Sequence, residues 1–150
     1  MKLTDLIIGD WVRYSPKSIS LNNNYGGSYR VEGISQDTIT LGAKNYRFVA
    51  SDKEIDPILL TPEILEKNGW NLDTVLQCYT STPLWLYGEG IINLLLQFPS
   101  KQSAGSLEIF DNQKIRSLFD FTWKDRLYIH ELQHTLRLCG LDKLADNFKV

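Results

Sequence analysis

The sequence predicts an α+β protein. An N-terminal SH3-like curled β-subdomain spans residues 1–60. Residues 61–150 hold a short linking helix, an antiparallel β-meander and a C-terminal helix packed on that meander. Three observations carry this prediction. The first part of the chain alternates short apolar runs with clusters of Gly, Asn, Asp and Ser, which is how several short strands at close spacing look. Thr61-Pro62-Glu63 and Gly69 bracket a short helix. A helical period of apolar residues appears only near the C-terminus, around Leu132.

Trp11 to Tyr14, after the Gly9-Asp10 turn, is the first strand. Asn22-Asn23-Asn24 and Gly26-Gly27 form a loop, and Tyr29 to Ile34 comes next. After a break at Ser35-Gln36-Asp37 come Thr38 to Leu41 and, beyond Gly42, Tyr46 to Val49. Ile55 to Leu59 is an edge strand, because Pro57 has no N–H to give a second ladder. The helix runs from Pro62 to Asn68. Thr61 caps it, Pro62 suits its first position, Glu63 suits the positive end of its dipole, and Gly69 fits the left-handed stop. Val75 to Thr80, Leu84 to Tyr87, Ile91 to Phe98, Leu107 to Phe110 and Lys114 to Phe119 are the strands of the meander. Gly88-Glu89-Gly90 and Asp111-Asn112 stand where hairpin turns belong, and Pro99 to Gly105 is a polar loop. Thr122 opens the longest helix, with Asp125 at its third position, and Gly140 closes it. Leu141 to Val150 is a tail with room for one more helical turn.

A chain of 150 residues can build one domain or two small subdomains with a real core. Its 43% hydrophobic and 23% charged residues exclude global disorder. A net charge of −2, with no run of Lys or Arg, gives no electrostatic reason to expect a nucleic-acid or membrane-surface binder. The longest apolar run, Ile91 to Leu96, is broken by Asn93 and is too short to span a bilayer. Met1-Lys2-Leu3-Thr4-Asp5 lacks the apolar stretch of a secretory signal, so a cytoplasmic location is expected. Cys78 and Cys139 form no CxxC pair and are expected to be reduced, buried thiols.

One constellation spells out a reaction. His130-Glu131-Leu132-Gln133-His134 is an H-E-x-x-H and holds both histidines of the chain. On a helix the two imidazoles lie one turn apart on one face, the spacing zinc needs, and Glu131 would activate a metal-bound water. Three observations stand against a metal. A catalytic zinc takes three protein ligands, and no third histidine exists. The extended H-E-x-x-H-x-x-G-x-x-H pattern fails, because Arg137 and Gly140 stand where Gly and His belong. Cys139, Asp142 and Asp146 remain as downstream ligands, and Cys139 is on the wrong face.

Advancing about 100° per residue puts Tyr128, Ile129, Leu136 and Cys139 within about 60° of Leu132. That is the core stripe. His130 and His134 fall about 160° away, beside Arg126 and Arg137, whose charges oppose a dication. The sequence therefore favours a solvated helix face carrying His, Arg and Glu, with no catalytic residue, no cofactor and no metal. The alternative is a small zinc-dependent hydrolase with His130 and His134 as ligands and Glu131 as base.

Other chemistry finds little support. No G-x-S-x-G accompanies Ser103 and Ser106, the glycines match no phosphate-binding loop, and both cysteines sit in apolar stretches where thiols are inert. Tyr14, Tyr25, Tyr29 and Tyr46 interleave with Arg13, Lys17, Arg30, Lys44 and Arg47. That is the nearest approach to a nucleic-acid signature, and it is also how a half-buried sheet looks.

Three segments together resemble a family. They are Lys2 to Val12 (K-L-T-D-L-I-I-G-D-W-V), Ile58 to Trp70 (I-L-L-T-P-E-I-L-E-K-N-G-W) and Tyr128 to Gly140. In that order they resemble small proteins of Bacteroides-type gut bacteria and their phages or mobile elements, a family without an assigned activity. The resemblance covers the start, middle and end of the chain and carries over no catalytic residue. The family pattern at residues 128–134, Y-V-H-Q-L-Q-N, lacks the glutamate and the second histidine. That implies a structural helix in which Glu131 and His134 complete the zinc spelling by accident. It also implies a cytoplasmic protein. The expected function is a non-enzymatic accessory or interaction module of such an element. It would bind a macromolecular partner, protein rather than nucleic acid, through its barrel or exposed aromatics.

Overall fold

The computed structural model describes residues 2–16, 27–43, 45–75, 77–81, 83–86, 90–98, 105–111, 114–121 and 126–150. It is α+β, with two antiparallel sheets and a few short helices. The chain divides into two compact units. The first holds Met1–Leu59, Tyr128–Phe148 and Val150, and the second holds Leu60–Leu127 and Lys149.

In the first unit, β1 (Trp11–Tyr14), β2 (Ser28–Ile34), β3 (Thr38–Ala43), β4 (Tyr46–Ser51) and β5 (Ile55–Pro57) form one sheet in the order β4-β3-β2-β1-β5. Four strands follow the chain as a meander. The fifth returns to the free side of β1, where Val12 faces Pro57 and Tyr14 faces Ile55. Pro57 thus sits on an edge strand, as its missing N–H requires. A single 3-10 turn, Asp52–Glu54, makes the return. The Glu54 carboxylate accepts the Ser51 backbone N–H and hydroxyl, both at 2.9 Å, and holds that turn shut. The register of β2 on β3 slips between Val31 and Gly33, and a bulge of this kind adds twist to a sheet. Alternation does the rest. Val12, Tyr29, Val31, Ile39, Leu41 and Ala50 point to one side and bury together with Leu6 and Ile55.

α1 (Pro62–Lys67) opens the second unit. Thr61 Oγ1 accepts the Ile64 N–H at 3.4 Å, as expected of the cap. The Gly69 N–H donates to the Glu66 carbonyl and the Trp70 N–H to the Leu65 carbonyl, which closes the helix. β6 (Asn71–Asp73), β7 (Cys78–Thr80), β8 (Leu84–Leu86), β9 (Gly90–Gln97), β10 (Gly105–Asp111) and β11 (Lys114–Phe121) follow. Their order is β11-β10-β9-β7-β6, with β8 pairing separately with β9. The antiparallel pairing expected here is present with one strand more, but β7 pairs with β9 rather than with β8, so the strands do not run as a simple meander. Val75, expected in a strand, is exposed in the turn between β6 and β7, where its N–H meets Asp73 Oδ1 at 2.9 Å. The turn residues Gly88, Glu89 and Asn112, the loop at 22–26 and most of the loop at 99–105 lie outside the described residues.

The C-terminal part differs from the sequence expectation in two ways. Residues 128–148 belong to the first unit, whereas the sequence groups them with the meander over 61–150. α2 (Ile129–Leu138) touches β1 and α3 (Asp142–Asp146). α2 also starts later than Thr122. Thr122 and Asp125 lie outside the described residues, but Tyr128 is extended and bridges Leu59, and the Ile129 N–H donates to the Ile58 carbonyl at 3.0 Å. The end is as expected: Gly140, at φ +74°, donates to the Arg137 carbonyl, and the Leu141 N–H donates to the Leu136 carbonyl. Leu132 and its stripe partners Ile129 and Leu136 are fully buried. Among the described residues no helix is long and apolar enough to cross a membrane.

Two predictions follow from this packing. Leu132→Ala is expected to cost about 2–5 kcal/mol, read from the urea midpoint, because a buried leucine leaves a cavity. An unchanged midpoint would contradict its place in the core. The second concerns Glu54, whose carboxyl lies below the ordinary glutamate range. The Ser51 backbone N–H is the main cause, then the Ser51 hydroxyl; slight burial opposes, and the Tyr14 hydroxyl adds a little. A carboxyl lowered on folding contributes stability that is present above its unfolded value of about 4.3 and is lost as pH falls through the lower folded value. Glu54→Gln should therefore lower the midpoint at neutral pH, and the gap should narrow in acid, below the unfolded value of about 4.3. An equal gap at neutral and acid pH would refute the assignment.

Candidate functional site

The helix that carries H-E-x-x-H meets the Gly9-Asp10 turn inside the first unit. Asp10 is 0% exposed. Its carboxylate accepts the Ile7 N–H at 2.8 Å and Arg137 Nη1 at 2.9 Å, and it shares a 2.7 Å hydrogen bond with His134 Nε2. A carboxylate accepts, so the imidazole tautomer that fits carries its hydrogen on Nε2. The Asp10 backbone is tied down as well. Its N–H donates to the Ile7 carbonyl at 3.2 Å, and its carbonyl accepts the Val31 N–H at 2.9 Å. A buried carboxylate without such partners costs several kcal/mol, so these donors are what make Asp10 tolerable inside the protein.

Gln133, also 0% exposed, works beside it. Its Oε1 accepts the Trp11 N–H at 3.1 Å, and its Nε2 donates to the carbonyls of Gly9 (3.2 Å) and Ala145 (2.9 Å). The Trp11 indole donates to the Phe148 carbonyl at 2.7 Å. Arg30, from β2, donates to the Asp146 carbonyl at 2.8 Å and to the Gly9 carbonyl at 3.4 Å. Arg137 Nη2 reaches Asp146 Oδ1 at 3.0 Å. Residues 9–11 are therefore gripped from β2, α2 and the segment around α3. Gly9 is required by this grip. It sits at φ +98°, and a Cβ there would lie 2.7 Å from Arg137 Nη2.

The three residues of the zinc reading have separate tasks. His134 is bonded to Asp10. His130 is 6% exposed, lies over the Tyr128 ring with centroids 6.0 Å apart, and meets the His134 ring edge-on at 5.9 Å. Glu131 reaches back to the start of α2, where its carboxylate accepts the Tyr128 N–H at 3.1 Å. Asp146 bonds Arg137 rather than either histidine, and Cys139 is half-buried at the helix end with its thiol pushed up by burial. Among the described residues no group of three or more His, Cys, Asp or Glu is placed to hold a metal ion.

The face expected to be solvated is largely covered. His130 and Gln133 are buried and His134 and Arg137 half-buried, and Gln133 is bonded to Gly9 and to Ala145 of α3. Sequence reasoning missed Asp10 and Gln133. Asp10 looks like an ordinary turn residue beside Gly9, and no local pattern marks its partners. The signal that was available was indirect: Lys2 to Val12 and Tyr128 to Gly140, two of the three segments quoted for the family resemblance, are the two that meet here.

The aromatic and basic strands resolve into packing and pairs. Tyr14, Tyr29 and Phe48 pack edge-to-face, with Tyr14 and Phe48 centroids 4.8 Å apart and Tyr29 and Phe48 centroids 5.1 Å apart. The Tyr29 and Tyr46 hydroxyls lie 3.0 Å apart. Arg47 forms an ion pair with Glu32. Tyr25, Lys17 and Lys44 lie outside the described residues. An open groove of about 630 Å³ runs over the outer face of the sheet, where Arg30 and Arg47 are matched by Glu32 and Asp146. No protein-family model, curated protein or solved structure matches the chain.

Asp10→Asn is expected to destabilise the protein by about 3–5 kcal/mol, since it leaves Arg137 and His134 facing a neutral amide. Urea denaturation measures this directly. A loss under about 0.5 kcal/mol, the size of an ordinary surface substitution, would show that the cluster holds nothing together.

Proposed function

We propose that this chain is a non-enzymatic interaction module that binds a protein partner, and that its H-E-x-x-H helix is a structural bolt. One observation carries the proposal: His134 Nε2 is a hydrogen-bond partner of Asp10, and Arg137 takes the other carboxylate oxygen. With its hydrogen on Nε2, His134 could offer a metal a lone pair only from Nδ1. A guanidinium on the same carboxylate also places a positive charge close to His134, which opposes a dication there. Glu131, the base of the hydrolase reading, is spent on the helix start. The residues present do not fit a zinc ion, so no hydrolytic step is derived from them.

The strand order β4-β3-β2-β1-β5, the bulge in β2 and the 3-10 turn before β5 support an SH3-like reading of the first unit. On edge strand β4, Tyr46 is 55% exposed and Val49 63% exposed, and Tyr46 adjoins the ring cluster of Tyr14, Tyr29 and Phe48. An exposed aromatic at the margin of such a cluster suits a protein surface. Among the described residues, Arg30 and Arg47 pair with Asp146 and Glu32 rather than standing free for a phosphate backbone. A cytoplasmic accessory role in a phage or mobile element is supported by the sequence resemblance.

Metal analysis tests the proposal. Protein purified without a His-tag, beside a His134→Asn variant, is expected to hold far less than one zinc per chain, with melting unchanged by chelator. Near-stoichiometric zinc that the variant loses would overturn the proposal and restore the hydrolase.

A further inference from the structure

We infer that residues 60–127 are an autonomous domain inserted into the first unit, and that each unit unfolds without the other. The chain leaves the first unit after Leu59 and rejoins it at Tyr128. Within the first unit the two cut ends are neighbours: Leu59 bridges Tyr128, and the Ile58 carbonyl accepts the Ile129 N–H at 3.0 Å. The same bridge brings the ends of the second unit together, since its other hydrogen bond runs from the Leu60 N–H to the Leu127 carbonyl at 2.9 Å. One antiparallel bridge at the junction thus holds the ends of both units together. That is the geometry in which a domain can be inserted without stretching its host.

Each unit also has what a separate fold needs. The first buries Val12, Val31, Ile39 and Leu41 in its own sheet. The second carries its own sheet, with Leu94, Leu96 and Leu107 fully buried, and its own capped helix. The polar grip on residues 9–11 matters most here. It lies wholly within the first unit and ties together the two pieces of chain that the insert separates. The C-terminal piece is therefore anchored by its own side chains, not only by the covalent path through the insert.

A chain of this size would ordinarily be expected to unfold in one step, so the inference can fail cleanly. The test is native-state hydrogen exchange on the full chain, comparing the wild type with Asp10→Asn and Leu107→Ala. In Asp10→Asn, the amides of Val31, Ile129 and Leu132 are expected to lose protection by roughly 100-fold, while Trp70, Ser81 and Leu94 keep theirs. Leu107→Ala is expected to do the reverse. Should Asp10→Asn unfold the first unit outright, Trp70, Ser81 and Leu94 are still expected to stay protected. Loss of protection in both sets by the same factor, in either variant, would show one cooperative unit and sink the inference.

Discussion

A carboxylate with no access to water sets the terms for the first unit. Asp10 cannot be buried unless donors surround it, and the chain meets that demand from three places: the Ile7 amide in the preceding turn, His134, and Arg137 one helical turn further on. Each donor then constrains something else. Arg137 can lie close only because position 9 is glycine. Together with Gln133, which precedes them in sequence, His134 and Arg137 fix the axial position of α2, because a slip of one turn would take Gln133 off the Trp11 amide. A buried ion cluster is rarely worth more than a well-packed apolar one, but it accepts few alternative arrangements. Here it specifies which face of α2 is turned toward the strands. Leu132, Ile129 and Leu136 take the other side.

This division of the helix explains why the sequence was informative about some features and misleading about others. The strands of the first unit were readable because burial follows the alternation of Val12, Tyr29 and Val31, Ile39 and Leu41. The stops of α1 and α2 were readable because Gly69 and Gly140 leave local marks. β6 was not, since Asn71-Leu72-Asp73 has turn composition and is held as a strand by its pairing with β7. The start of α2 was misplaced because extended pairing around Tyr128 overrides whatever helical preference precedes it. The wheel separated the apolar stripe from the polar face correctly. No wheel can say what covers the polar face, and buried His, Gln and Arg look the same on it as solvated ones.

The H-E-x-x-H shows the same limit at the level of a motif. Its spacing is a statement about one helix face, and zinc is only one thing that face can meet. An imidazole N–H, a guanidinium and an acid at the third helical position also suit a buried carboxylate and a bare helix start. The deciding residue, Asp10, stands more than a hundred positions away from the motif. Local spelling could not have revealed it.

That separation raises a last question: how a grip between residues 122 to 127 positions apart can be affordable. Loop closure grows only slowly with length, at about 0.6 kcal/mol for each doubling, so the intervening chain is a small penalty even when unstructured. It is smaller still when that chain is folded with its ends already in contact, as Leu60 and Leu127 are. The two halves of the first unit then face an effective loop set by the stem at Leu59 and Tyr128 rather than by the full insert. The long-range character of the Asp10 cluster and the local closure of residues 60–127 are thus two sides of one constraint. A host interrupted by an insert needs strong specific contacts between its halves, and it can carry them cheaply only if the insert brings its own ends together.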